Sequence, residues 1–471
     1  MTPSRRPSRP RKPGPPRGRS GPRRPPADDP ARRAALDTLA AVRERDAYAN
    51  LVLPGLLRER RITGRDAALA TELAYGACRA RGLLDVVVEV CAGRPVAEVD
   101  GDLLDALRLG TYQLLHTRIP PHAAVASTVD LVRGTRGSAS AGFVNAVLRR
   151  VGEHDEAAWV QRVAPDRESD PVGYLAVAHP HPRWIAQAFA DALGEGGDEL
   201  AAALAADDAR PVVHLAARPG EISAEELAAV TAGEVAPYSP CGVHLDEGGD
   251  PGELDAVRDH LAHVQDEGSQ LVTLALAGAP LDGPDARWLD LCAGPGGKAA
   301  LLGALAATAG GRLDAVERSE HRARLVEQAC EGLPVAVLVA DGRDSGLPEG
   351  GFDRVLVDAP CTGLGALRRR PEARWRRLPS DVADLVRLQR ELLLAALDLV
   401  RPGGVVAYVT CSPHLAETAE VVADTVCRSG ATVFDARPEF PGVPQLGEGP
   451  HIQLWPHRHG TDAMFCALLR R

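Results

Sequence analysis

The sequence predicts a multidomain chain, with an all-α bundle in its N-terminal part and an α/β domain around a parallel sheet in its C-terminal part. Two observations carry this. Across residues 28–155 apolar residues recur at three- and four-residue spacing, the period of helices with one buried face. From about residue 264 short β-branched runs alternate with helical stretches, the rhythm of a doubly wound parallel sheet. A chain of 471 residues is long enough to build both parts with cores of their own.

Taken in order, residues 1–27 hold nine basic residues and no acidic one, and are rich in Pro, Arg and Gly. Such a segment cannot bury a core and is expected to be a disordered tail. Two readings of it stay open: a solubilising tail, or an arm whose arginines grip nucleic-acid phosphates. The whole chain carries a formal charge of −10, so everything after the tail is strongly acidic. Residues 28–155 form the helical domain, with helices expected at 31–42, 67–78, 83–91, 103–115, 123–132 and 143–151. Pro54-Gly55, Gly93-Arg94-Pro95 and Pro120-Pro121 punctuate the gaps. Residues 156–263 read as a helical connector and a small α+β subdomain, with a short strand at 212–215 and a helix at 224–229. Residues 264–471 form the α/β domain. Its strands are expected at 287–292, 312–317, 335–340, 353–358 and 405–410, with helices at about 298–308, 320–331 and 381–400. Runs near 432–436 and 462–469 are expected to form an antiparallel C-terminal hairpin.

Composition removes several classes of function. No run approaches the ~20 apolar residues of a membrane span, and the basic N-terminus is not followed by the apolar stretch of a secretory signal. The nine cysteines are scattered, and no CxxC clip exists. A reduced, cytoplasmic, metal-free monomer is expected.

The chemistry concentrates at predicted strand ends. Cys292-Ala293-Gly294-Pro295-Gly296-Gly297-Lys298 turns from a strand into a helix, and its glycines let backbone approach a ligand closely. The spacing is neither GxGxxG nor a P-loop, which points away from a phosphate-centred ligand. Glu317, Asp341 and Asp358 close the following strands at the same sheet edge, where doubly wound domains bind ligands. An acid at the second strand end suits ribose hydroxyls, and Asp341 is placed for an adenine amino group. Two of the 54 basic residues are lysines, Lys12 and Lys298, and Lys298 closes the glycine loop. A compact ammonium is thus wanted where arginine serves elsewhere.

Two cysteines follow strands at that edge, in Asp358-Ala359-Pro360-Cys361 and Thr410-Cys411-Ser412. A free cysteine is ordinarily a small buried hydrophobe, and Cys78, Cys91, Cys330, Cys427 and Cys466 are read so. Cys361 and Cys411 are candidate nucleophiles, since a neighbouring cation favours the reactive thiolate. The residues leave open which of the two attacks. Arg368, Arg369, Arg370, Arg374, Trp375, Arg376 and Arg377 follow the first cysteine loop. Arginines pair with phosphates and an aromatic ring stacks on an unpaired base, so this run is a candidate RNA-binding segment, with a solvated helix face as the alternative.

These motifs resemble the S-adenosylmethionine-dependent RNA cytosine-C5 methyltransferases, specifically the bacterial 16S rRNA enzymes of the Sun/Fmu type. The resemblance rests on 290–298, 358–363 and Thr410-Cys411-Ser412-Pro413. It extends to segments at 66–76, 107–113, 119–125 and 143–150, which are similar to that family's NusB-like RNA-binding domain. The resemblance implies a NusB-like bundle joined to a Rossmann-like methyltransferase domain. It implies methyl transfer from S-adenosylmethionine to C5 of a cytosine in 16S rRNA, at the 967-type site, within a small-subunit assembly intermediate. It further implies Cys411 as nucleophile on C6, Cys361 in product release and Asp358 on the cytosine edge. The cofactor would be held by 292–298, Glu317, Asp341 and Asp358. Glu317 stands where many relatives have Asp, and Asp462-Ala463-Met464-Phe465 replaces a more usual Asp-Gly-Phe-Phe. A DNA cytosine-C5 enzyme attacking through Cys361, a non-catalytic RNA-binding assembly factor, and a nucleotide-dependent oxidoreductase are the competing readings. The second cysteine and the NusB-like half oppose the first, the intact motifs oppose the second, and the missing dinucleotide fingerprint opposes the third.

Overall fold

A computed structural model describes residues 29–194, 197–245 and 250–471; the basic tail lies outside the described residues. The N-terminal helices are Pro30–Arg45, Ala49–Glu59, Gly64–Arg79, Arg81–Ala92, Gly101–His116 and Pro121–Val151. The first starts where the sequence supplies a cap: the Asp29 side chain accepts from the Arg32 N–H, and Pro30 occupies the first turn. Leu73, Leu84 and Leu109 meet in one buried cluster, and Leu107, Val144 and Leu148 in a second.

Two details depart from expectation. Pro54-Gly55 reads as a gap in sequence, yet it sits inside the helix Ala49–Glu59. The missing Pro54 N–H leaves the carbonyl one turn back without its usual donor, and Asn50 there is exposed to water. The two helices expected at 123–132 and 143–151 are present but longer: within Pro121–Val151 they meet at a kink at Gly137, whose φ of 82° favours a residue without Cβ.

The connector consists of helices Glu156–Val163, Pro171–Ala178, Arg183–Leu193 and Gly197–Asp208. A small antiparallel sheet follows, from β1 (Val213–Ala217), β2 (Glu234–Val235), β3 (Gly242–Leu245) and β4 (Ala262–Val264), in the order β2-β3-β1-β4. Its one helix of two full turns, Ala224–Thr231, starts at a reciprocal capping box between Ser223 and Glu226.

The large sheet holds β5 (Arg287–Asp290), β6 (Arg312–Glu317), β7 (Val335–Val339), β8 (Phe352–Asp358), β9 (Val400–Thr410), β10 (Thr432–Phe434), β11 (Ile452–Gln453) and β12 (Phe465–Arg470). Its order is β10-β12-β9-β8-β5-β6-β7, with β11 paired to β12. The pairs β7-β6, β6-β5, β5-β8 and β8-β9 are parallel, whereas β12 runs antiparallel to both β9 and β10. The two C-terminal strands therefore pair as expected but extend the main sheet instead of standing apart as a hairpin. Helices cover both faces, so the middles of β8 and β9 are unbroken apolar runs, Val355 to Val357 and Val405 to Val409, rather than alternating with polar residues. Val355 and Val357 pack with Leu392, Leu393 and Ala396 of the helix Pro379–Leu399 on one face. Leu356, Val405, Ala407 and Val409 pack on the other with Leu271, Val272 and Ala275 of the helix Glu267–Gly278. Cys411 is two residues beyond Val409 and packs against that second face. No helix among the described residues is long and apolar enough to cross a membrane.

Candidate active site

The C-terminal ends of the parallel strands gather the predicted residues. Between β5 and the helix Gly297–Thr308, residues 291–296 form the glycine loop. Gly294 donates its N–H to Glu317 Oε2 at 3.1 Å, and Glu317 Oε1 accepts from the Ser319 N–H at 2.8 Å. A Cβ on Gly294 would lie 2.2 Å from Glu317 Oε2, so only glycine permits this approach. Gly296 has a φ of 115°, and a Cβ there would lie 2.7 Å from the Ala329 Cβ.

Lys298 and Asp358 form an ion pair, Nζ to Oδ2, at 2.9 Å. This pair answers why one lysine survives outside the tail of an arginine-rich chain. An ammonium on a slim stem enters a crowded site, and burial against Asp358 still leaves its pKa raised. Asp290, at the end of β5, is fully buried. Burial, with the negative charge of Asp358 nearby, pushes its pKa up to about 7. Its Oδ1 accepts from the Cys292 N–H at 3.2 Å, and its Oδ2 has no protein partner. Asp341 is not drawn into this cluster. Arg343 embraces it, with Nη2 to Oδ2 at 2.7 Å and Nε to Oδ1 at 3.0 Å, and holds its pKa down at about 2.

Cys361 and Cys411 sit on neighbouring strand ends with their sulfurs 3.5 Å apart. Their surroundings are unequal. The hydrogen bond from Cys361 lowers the Cys411 pKa, and the Lys298 ammonium adds to this against burial and Asp358. The same hydrogen bond and burial push Cys361 up, and the charges bearing on it, Glu417 and Asp358, are carboxylates. The two thiols titrate as a pair, and the nearby Lys298 ammonium favours the charged form on Cys411. Cys292, half-buried and close to Asp290, Asp358 and Glu317, has its pKa pushed well up by desolvation and those carboxylates.

Residues 279–470 match the family described as 16S rRNA methyltransferase RsmB/F, and residues 29–153 match the NusB family. Ribosomal RNA small subunit methyltransferase B of Pseudomonas putida is 33% identical over 93% of this chain and 98% of its own. The chain belongs to the RsmB/F methyltransferase family. A putative methyltransferase of Mycobacterium tuberculosis is 63% identical, over 97% of this chain and 99% of its own. The crystal structure of PH0851 shares the fold over 94% of this chain and 99% of its own, with a TM-score of 0.77 at 22% identity. NSun6 from Pyrococcus horikoshii, solved with SFG, shares it over 61% of this chain and 98% of its own, with a TM-score of 0.51 at 20% identity.

Within this RsmB/F chain the arginine run requires a correction. Most of it faces inward. Arg368 donates to Asp462 at 2.7 Å and to Asp266 at 3.0 Å, and Arg369 pairs with the same two carboxylates. Arg374 is fully buried between Asp207, Asp208 and the Pro180 carbonyl. Trp375 lies over Gly82, and its Nε1 donates to the Cys78 carbonyl at 2.9 Å. Arg376 caps the Asp46 and Ala47 carbonyls. These residues lace the helical domain, the connector, the small sheet and the catalytic sheet together. Dense positive charge in an acidic chain is drawn to internal carboxylates before it meets phosphate. Arg370 is exposed over the Tyr48 ring, and Arg377 is half-buried with its Nε on the Thr362 carbonyl at 3.1 Å. These two have no carboxylate partner among the described residues.

Sequence reading missed three buried groups of the site, Asp290 as a separate acid, Gln389 and Glu417. Only Glu417 had a legible signal, its place six residues after Cys411 within the turn that follows β9.

Proposed function

We propose that this chain transfers a methyl group from S-adenosylmethionine to C5 of a cytosine in small-subunit ribosomal RNA, at the 967-type site, through a covalent bond between Cys411 and C6. The observation that carries this reading is the thiol pair, 3.5 Å apart on adjacent parallel strand ends beside the Lys298–Asp358 pair. The family and the NusB-family domain support RNA as the partner.

The residues fit the cofactor. The close approach of Gly294 to Glu317 leaves bare backbone along the loop, and the orphaned Asp290 Oδ2 is an unpartnered polar atom inside it. Residues 292–298, Glu317 and Asp358 would hold it, and Asp341 would reach it only by giving up its bonds to Arg343. When bound, it supplies an electrophilic methyl group. C5 of cytosine is a weak nucleophile. The Cys411 thiolate adds its electron pair to C6, and the electrons of the C5–C6 double bond move to C5, which then takes the methyl group. Asp358 hydrogen-bonds the cytosine edge as charge develops. The C5 proton passes to water, the electrons of that C–H bond re-form the double bond and expel Cys411 as thiolate, and Cys361 assists this release. The base must be unpaired or flipped to meet the sulfurs. Arg377, beside the Cys361 loop, and Arg370 remain available for phosphates.

RNA carrying 5-fluorocytosine tests this, because fluorine cannot leave C5 as a proton does and the adduct persists. The wild-type protein is expected to give a band stable to denaturant, and Cys411→Ala none. Bisulfite sequencing of ribosomal RNA from a deletion strain should lose one small-subunit 5-methylcytosine. Unchanged ribosomal RNA would refute the substrate class.

A further inference from the structure

Glu417 takes no part in the chemistry above, yet it is a carboxylate with no exposure, set directly beneath both cysteine loops. Its Oε1 accepts from the Thr362 N–H at 2.7 Å and from Gln389 Nε2 at 3.1 Å. Its Oε2 accepts from the Ser412 hydroxyl at 2.7 Å and from the Thr362 hydroxyl. Thr362 directly follows Cys361, and Ser412 directly follows Cys411. The same Gln389 amide donates to the Pro360 carbonyl at 2.9 Å, so the Cys361 loop is held on both sides of the sulfur. Glu417 is itself anchored, because the Tyr408 hydroxyl of β9 donates to its backbone carbonyl at 2.7 Å. No Lys, Arg or His lies in ion-pair reach of its carboxylate among the described residues, so the hydrogen bonds alone compensate its burial.

We propose that Glu417 is the positioning residue that sets the separation and aim of the two catalytic sulfurs. The proposal rests on the covalent reading above and adds to it a group that touches neither substrate nor cofactor. A buried acid with four donors from three segments has a fixed place, and each donor segment is thereby fixed in turn. Without that clasp the turns keep fewer ties, among them the Gln389 bond to the Pro360 carbonyl, the Arg377 bond to the Thr362 carbonyl and the Gly365 N–H on the Cys411 carbonyl at 2.9 Å, and the sulfurs gain freedom. A misplacement of about 1 Å in such a site costs about 10²-fold in rate.

The test uses the full chain in single-turnover methyl transfer, with cofactor and RNA affinities and thermal unfolding measured in parallel. Glu417→Ala is expected to lower the chemical step about 10²-fold while both affinities stay within about twofold of wild type. Glu417→Gln keeps the shape and one acceptor oxygen, and the Ser412 and Thr362 hydroxyls can turn to accept from its amide. It is expected to recover at least about tenfold over Glu417→Ala. A Gln variant as slow as the Ala variant would overturn positioning and make Glu417 a proton carrier. An Ala variant as fast as wild type would overturn any role. If Glu417→Ala does not fold, the double variant Thr362→Val, Ser412→Ala decides, since it removes the two hydroxyl contacts and leaves the carboxylate. A loss of about tenfold with affinities intact supports the clasp, and a wild-type rate overturns it. Failure of the wild-type protein to form the 5-fluorocytosine adduct would instead refute the covalent reading, which separates the two ideas.

Discussion

Arg374→Ala is expected to destabilise the folded chain by about 3 kcal/mol and to leave RNA affinity unchanged. The Arg374 guanidinium is fully buried and makes bonds of 2.7 Å to the Pro180 carbonyl, 2.8 Å to Asp208, and 3.2 Å and 3.3 Å to the Asp207 carboxylate and carbonyl. Removing one partner of a buried ion pair typically costs about 3–5 kcal/mol, because the other charge stays behind. Two contacts soften the loss here. His181 Nε2 at 2.9 Å and the Arg368 N–H at 3.2 Å still reach Asp207, which places the cost at the lower end of that range. Urea unfolding measures the stability, and binding to small-subunit RNA at several salt concentrations measures the affinity. A residue that contacts phosphate behaves differently. Its loss weakens binding and flattens the salt slope by about one unit, without a large stability change. Arg377→Ala, which removes a half-buried arginine with no carboxylate partner, is expected to follow that second pattern. An Arg374→Ala protein of wild-type stability with a flatter salt slope would refute the inward reading of the run.

Three further outcomes are expected. Cys361→Ala is expected to form the covalent RNA complex and release it slowly, so complex accumulates on unmodified RNA in gels, while Cys411→Ala accumulates none; the opposite pattern would reverse the two roles. Gly296→Ala combines a φ of 115° with a Cβ 2.7 Å from Ala329, and is expected to weaken S-adenosylmethionine binding at least about tenfold by calorimetry. Asp290 binds a proton more tightly in the folded chain, with a pKa of about 7, than in the unfolded one. The folded state therefore holds more protons between about pH 4 and pH 7, and this group's contribution to stability falls as pH rises across that window. The fall is on the order of 4 kcal/mol, from about 1.4 kcal/mol per pKa unit. Asp290→Asn is expected to flatten that slope in thermal unfolding of the cofactor-free protein, and an unchanged slope would count against a protonated Asp290.

The main elements of the fold were legible because they repeat. The period of the helices and the short apolar runs of β5, β6, β7, β8 and β9 are local properties of the chain. The glycine loop and the cysteine turns were legible for the same reason, since each is a short stretch at a strand end. Pro54 misled because packing overrode local punctuation.

What the sequence by itself determined is the pair of domains, the family resemblance, and the presence of two thiols, one lysine and a set of acids at strand ends. What only the tertiary structure decided is how these groups meet. Strand order brings β8 beside β9, which puts the sulfurs 3.5 Å apart, and Lys298 crosses from the glycine loop to Asp358, close enough to bias the thiolate to Cys411. The arginine run illustrates the same limit from the other side. Its composition suits phosphate, but Asp207, Asp266 and Asp462, distant in sequence, reach those guanidinium groups in the folded chain. Coulomb attraction and burial depend on distance in space, which no single stretch of sequence contains.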